Sequence, residues 1–295
     1  MPSPQAQELL DDLRAGLARR LAESDDAKAI YEEAMAEFPA PEGTDIRRRD
    51  LAGTPALHVV APGAAEEARV LYLHGGGFAV GSSESNQDLI ARLSHSTGFG
   101  VVGLDYPLLP DARFPVARDA TLAAWRALRD EAGAPLAIAG SSAGGGLALS
   151  TALTLRDGDE DLPAAILGLS PWYDLTVSAP SLDAVSDGDW LGRDSLVVAA
   201  ETYLDGREPT DPLASPLHAD LSGLPPLLVQ VGGSEILLDD ASRLADDARR
   251  AGTHVELDVW PGMFHNFQLF ASRLEEGAAA LERAGEWLRD HLMED

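Results

Sequence analysis

Apolar positions along this chain follow two rhythms. Leu9, Leu10, Leu13, Leu17 and Leu21 recur at the spacing of a single helix face. That stripe predicts a packing helix over 5–22 with a charged outer side. The prolines and glycine of "FPAPEG" (38–43) close this region. Beyond it come short runs rich in Val, Ile and Leu: "ALHVV" (56–60), "RVLYLH" (69–74), "VVGLD" (101–105), "LAIAG" (136–140), "AILGLS" (165–170), "PLLVQVG" (226–232) and "HVELDVW" (254–260). Most are apolar without alternation, as strands covered on both faces are. Helical patterns lie between or after them, at roughly 84–97, 116–131, 143–156, 239–252 and 273–292. Such alternation predicts an α/β fold with a mostly parallel sheet; the first strands are candidates for antiparallel pairing.

One interval breaks the rhythm. Some 55 residues separate "AILGLS" from "PLLVQVG", more than one crossover helix needs. An insertion over the active face, at about 172–222, accounts for them. With no internal repeat or low-complexity linker, 1–295 reads as one domain, capped by about 1–40 and by the insertion.

Composition narrows the function classes. Hydrophobic residues make up 45 % of the chain, enough for a sizeable core, and cysteine is absent. Disulfides, thiolate metal sites and a cysteine nucleophile are thereby excluded. The chain shows neither a basic start leading into an apolar run nor about eighteen consecutive apolar residues. The expectation is a cytoplasmic protein. A net charge of −27 repels phosphate backbones and anionic lipids, which argues against nucleic-acid or membrane partners.

In "LAIAGSSAGGGLALS", a strand meets a helix through a tight turn, and Gly140 and Gly144 flank Ser142 as G-x-S-x-G. Side chains two positions either side of a serine on such a turn would collide with the adjacent strand and helix. Ser141 lacks that flanking and is set aside as nucleophile. A plain glycine-rich junction is the competing reading. "LYLHGGGFAVG" (71–81) weighs against it. Its glycines allow main-chain N–H groups to face a cavity and hold an oxyanion. A phosphate-binding reading of this loop would need a Walker lysine, or G-x-G-x-x-G with an acid after the next strand, and "GGGFAVG" gives neither.

A serine hydroxyl needs a base, and the base an orienting carboxylate. Of seven histidines, His58 and His254 lie in predicted strands, His95 on a helix, His291 near the end, His218 in the insertion and His74 in the glycine motif. His265, in "WPGMFHNF" after the last strand, stands where such sheets place ligands. The acid should follow the preceding strand. Glu235 is nearest; Asp239 is the next candidate, though Asp239 and Asp240 suit the first turn of a helix. The chain order Ser142, Glu235, His265 is that of α/β-hydrolases. Neither H-x-H nor H-E-x-x-H occurs, so no metal or cofactor is expected.

"HGGGF", "GSSAGG", "SPWYDLT", "DPLASPL", "GLPPLLVQVGGSEILLDD" and "VWPGMFHNF" together resemble the hormone-sensitive-lipase family of bacterial esterases, over roughly 45 to 290. The resemblance implies an α/β-hydrolase fold: a mostly parallel eight-stranded sheet flanked by helices, with a helical cap. It implies Ser142 as nucleophile, His265 as base and Glu235 as acid, where most members carry aspartate. It implies Gly75, Gly76 and Ala143 as oxyanion donors and leaves Gly77 open. Two further positions depart from the family pattern: Ser141 replaces an aspartate, and Pro107 in "DYPLLPD" replaces an arginine. The implied reaction is hydrolysis of short- to medium-chain acyl esters through an acyl-enzyme. The same residues would serve a lactone, an amide or an acetylated small molecule. A non-catalytic small-molecule-binding protein on this fold is the alternative of another class. Phe78, Trp172, Tyr173 and Trp190 are candidate pocket walls, with core packing as the competing reading. Relatives dimerise through the last strand and helix, which makes a homodimer the expected partner state.

Overall fold

The computed structural model describes residues 2–184 and 188–293; 185–187 of the predicted insertion and the extreme ends of the chain lie outside that range. Eight strands form one sheet: β1 (Asp45–Leu51), β2 (Thr54–Val60), β3 (Ala65–Leu73), β4 (Phe99–Leu104), β5 (Ala137–Ser141), β6 (Ile166–Leu169), β7 (Leu227–Gly232) and β8 (Val255–Trp260). Their order is β1-β2-β4-β3-β5-β6-β7-β8. β2 runs antiparallel to both β1 and β4, and all other pairs are parallel.

Every residue of β5, β6 and β7 is buried, as unbroken apolar runs require in a sheet covered on both faces. β1 is the strand the pattern does not announce. Its sequence, DIRRRDL, is exposed over its first four residues. It is an edge strand whose extended form comes from its register with β2, so no apolar alternation is needed to hold it.

Successive residues of β3 enter opposite cores. Leu71 and Leu73 pack with Trp125, Leu149 and Leu244. Val70 and Tyr72 pack with Leu9, Leu89 and Leu281. The helices divide accordingly. α4 (Val116–Ala132), α5 (Ala143–Asp157) and α8 (Leu238–Arg250) cover one face; α1 (Pro4–Glu23), α3 (Gln87–Thr97) and α9 (Glu275–Met293) meet the other. α2 (Ala27–Met35) follows α1, while α6 (Ser181–Ala184) and α7 (Arg193–Leu204) lie within the predicted insertion. No helix among the described residues is long and apolar enough to cross a membrane.

Strand order reverses at β3, which has β4 on one side and β5 on the other. The carboxyl ends of β3 and β5 therefore open a crevice, the place where open parallel sheets accept ligands. "HGGG" follows β3 and Ser142 follows β5.

Candidate active site

Ser142 stands at φ 50° and ψ −120°, between β5 and the first residue of α5. A positive φ is strained for a residue with a Cβ, and the surroundings impose it. A Cβ on Gly140 would lie 2.2 Å from the Gly144 carbonyl oxygen, and one on Gly144 would lie 2.1 Å from that of Leu73. The Ser142 N–H donates to Leu169 O at 3.0 Å, and its carbonyl accepts from the Trp172 N–H at 2.9 Å. The turn is thus pinned on both sides while the hydroxyl remains directed away from the strand.

His265 Nε2 lies 3.0 Å from Ser142 Oγ, and His265 Nδ1 lies 3.2 Å from Glu235 Oε1. All three side chains are buried. With Nδ1–H donating to the carboxylate, the Nε2 lone pair faces the hydroxyl. The second Glu235 oxygen accepts from Ser170 Oγ and from the Gly232 N–H, both at 2.7 Å. The buried carboxylate is therefore compensated by three donors. Asp239 points elsewhere: its Oδ2 accepts from the Ser181 N–H at 2.8 Å.

The glycine motif packs directly on the serine. A Cβ on Gly75 would lie 3.2 Å from Ser142 Cβ, and one on Gly76, whose φ is 115°, would lie 2.1 Å from Val80 O. Neither Gly75 nor Gly76 N–H has a hydrogen-bond acceptor among the described residues. Gly76 and Gly77 line the same cavity as Ser142 and His265; Ala143 opens α5 beside them. These N–H groups, at a strand end and a helix N-terminus, form an electropositive corner next to a hydroxyl. His74 stays out of it. Its ring stacks on Tyr106 at 4.3 Å, and burial pushes its pKa down to about 4.

The cavity measures about 1230 Å³, and residues of α1, α2 and α7 form much of its wall. Trp190 lines it. Phe78, Trp172 and Tyr173 do not. Phe78 stacks face to face on Tyr203 at 3.7 Å and tilts against Trp172. Tyr173 is fully buried in the same core cluster. Their bulk fills the space between the sheet and the insertion, so core packing is the correct account of these three. Among the described residues, no group of three or more His, Cys, Asp or Glu side chains could hold a metal ion.

A family model described as alpha/beta hydrolase fold matches residues 70–269. The chain belongs to this family. Within the α/β-hydrolases it falls in the hormone-sensitive-lipase group. It is 39 % identical to an esterase of the bacterial hormone-sensitive lipase family whose crystal structure superposes with a TM-score of 0.92, covering 99 % of each chain. An acetyl-hydrolase of Streptomyces hygroscopicus is 37 % identical, over 98 % of this chain and 97 % of its own. An esterase of Acinetobacter venetianus is 35 % identical, over 88 % and 87 % respectively.

In this α/β-hydrolase, two further residues that the sequence reading did not single out shape the site. Ser170 bridges the loops that carry Glu235 and His265, donating to Glu235 and accepting the Asn266 N–H at 3.1 Å. Asp189 accepts the N–H groups of both His265 and Ile236. Both act through partners far away in sequence; Ser170 opens the "SPWYDLT" stretch, while no quoted motif includes Asp189.

Proposed function

We propose that this esterase cleaves short-chain acyl esters of small alcohols through an acyl-enzyme on Ser142. His265 Nε2 takes the Ser142 proton as Oγ attacks the ester carbonyl carbon. The C=O π bond opens onto oxygen, and the N–H groups of Gly75, Gly76 and Ala143 receive that charge. His265 then gives the proton to the leaving alkoxide as the C–O bond breaks, and the acyl group stays on Oγ. A water enters and gives its proton to the same Nε2; attack and collapse release the acid and restore the serine. Glu235 holds the imidazole tautomer throughout and balances the imidazolium. Removing a single donor of this kind costs about 10²–10³ in rate in a protease.

The unbroken hydrogen-bonded line from Ser142 through His265 to Glu235 carries this reading against a role in binding alone, which gives the imidazole no reason to meet the serine. The acetyl-hydrolase relative supports a short acyl group. α1, α2 and the insertion act as the cap, because their residues close the cavity over Ser142. The lack of cysteine supports a cytoplasmic location. β8 is an edge strand with Val259 exposed, which supports a homodimer through that edge; sedimentation velocity tests it.

The decisive assay is hydrolysis of p-nitrophenyl acetate and butyrate by the wild type and by Ser142→Ala. A wild-type rate lost in the variant is the expected result. Equal rates, or a folded wild type with no rate on either ester, would overturn the proposal.

A further inference from the structure

Two neighbouring residues of the insertion hold both main-chain groups of His265. The His265 N–H donates to Asp189 Oδ1 at 3.1 Å, and the His265 carbonyl accepts from Trp190 Nε1 at 2.7 Å. The other Asp189 oxygen, Oδ2, accepts the N–H of Ile236 at 3.0 Å, the residue immediately after Glu235. Asp189 Oδ1 also takes the N–H groups of Trp190 at 2.8 Å and Leu191 at 3.4 Å, which fixes the carboxylate in its own segment. From the far side of the cavity, Arg14 Nη2 on α1 donates to the Asp189 carbonyl at 2.6 Å. The insertion also comes unusually near the acid loop, where a Cβ on Gly188 would lie 3.0 Å from Ser234 O.

Asp189 is 4 % exposed. Burying a carboxylate there is unfavourable unless hydrogen bonds compensate. Burial indeed raises its pKa, with His265 opposing and Glu235 reinforcing that rise. A scaffold needing only to hold the insertion down could use an apolar contact. A carboxylate whose two oxygens reach the base loop and the acid loop separately does something an apolar contact cannot: it fixes the distance between them.

We propose that Asp189 is a positioning residue of the ester hydrolysis, a clamp that sets the His265–Glu235 spacing and couples it to the placement of the cap. This rests on the function proposed above. The α/β core joins the two loops through Ser170 and through the Ser234 N–H, which donates to Met263 O at 2.9 Å; the insertion adds this further link, the one that reaches the His265 main chain. Displacements of about 1 Å at reacting groups cost about 10²-fold in rate. A clamp held by the cap makes the triad sensitive to how the cavity roof sits.

Two substitutions separate a positioning role from a purely structural one. In Asp189→Asn, the amide oxygen is expected to keep the side with three donors, leaving the NH₂ against the Ile236 N–H. The base stays held and the acid loop is released. In Asp189→Ser, both links go. The measurement is kcat and KM for p-nitrophenyl butyrate, with active sites counted by phosphonate titration taken to completion, so that unfolded protein drops out. The expected order of kcat per site is wild type, then Asn about tenfold lower, then Ser about a hundredfold lower, with KM within about threefold of wild type. A wild-type kcat per titrated site in both variants, a loss that appears only in KM, or failure of both to fold would overturn the clamp. An inactive wild type would instead strike the proposed function.

Discussion

Ser170 Oγ donates to Glu235 Oε2 at 2.7 Å while accepting the Asn266 N–H at 3.1 Å. One hydroxyl just after β6 thus supports the Glu235 carboxylate and steadies the residue after His265. Hydrogen bonds to charged groups contribute about 1.5–3 kcal/mol each, and the Gly232 N–H remains as a second donor to the same oxygen. Ser170→Ala is expected to lower kcat for p-nitrophenyl butyrate about tenfold with little change in KM. An unchanged kcat would mean that Gly232 alone holds the carboxylate.

Glu235→Gln tests the imidazole tautomer. The two donors at Oε2 will draw the amide oxygen to that side. The amide NH₂ then faces His265 Nδ1, which must accept, and the proton moves to Nε2, facing Ser142. The base is then blocked without disturbance of the geometry. The expected loss in kcat is about 10³–10⁴-fold, the scale of the same exchange in a serine protease. Glu235→Asp keeps the charge but falls short of the ring, and it should lie between Gln and wild type. Steady-state kinetics of the three proteins decide; a Gln variant as active as wild type would remove Glu235 from the mechanism.

Glycine-to-alanine changes in two helices should have opposite signs. In α5, a Cβ at Gly144 would meet Leu73 O at 2.1 Å and His74 O at 2.5 Å, both backbone atoms that cannot step aside. Gly144→Ala is expected to cost at least about 1–3 kcal/mol and to distort the serine turn. In α1, a Cβ at Gly16 would meet only the Arg20 guanidinium at 3.0 Å, the far end of a flexible side chain. Gly16→Ala is expected to stabilise by about 0.5–1 kcal/mol through helix propensity. Urea unfolding of both variants measures the signs, and a stabilised Gly144→Ala protein would contradict the close approach.

The parts of this fold that were legible in the sequence are those where one local pattern decides the outcome. The apolar runs within β3 to β7 read as covered strands, and Gly140 reports a clash with Gly144, four residues on. β1 was not legible, because an edge strand exposed to water keeps no apolar rhythm and is extended only through β2. α7 was missed although Leu196, Ala200, Tyr203 and Leu204 share its buried side; the surrounding prolines, glycines and charges of the insertion hid that spacing. Phe78, Trp172 and Tyr173 were misread for a different reason. An aromatic beside a motif serves a pocket wall and a core equally well, and only the stacking of Phe78 on Tyr203 separates them. Ser170 and Asp189 bond to these loops across 47 to 96 residues of sequence, and that kind of contact has no local spacing to find.

Asp240 gives the stability a pH dependence of its own. Its carboxyl is buried on α8, and Oδ2 accepts the N–H groups of Tyr173 and Asp174 at 3.2 and 3.1 Å. Desolvation, and then the charge of Asp174, push its pKa from 3.8 up to about 7, while Arg243 opposes the rise. Asp174 is itself paired with His218 at 3.1 Å and Arg243 at 3.5 Å, and its own pKa is lowered, so its contribution is lost only in more acid solution. Between pH 3.8 and about 7, the native state holds a proton at Asp240 that the unfolded chain has released. Stability from this group is therefore full below the unfolded value, declines as pH rises through that window, and is gone above it. Asp240→Asn keeps an oxygen for both N–H groups and cannot ionise. Relative to wild type, it is expected to gain stability between pH 5 and pH 8, by an amount on the order of a few kcal/mol. Urea unfolding of both proteins at the two pH values reads this directly. A wild-type-to-variant difference that stays constant across them would show that Asp240 is ionised in the native state throughout.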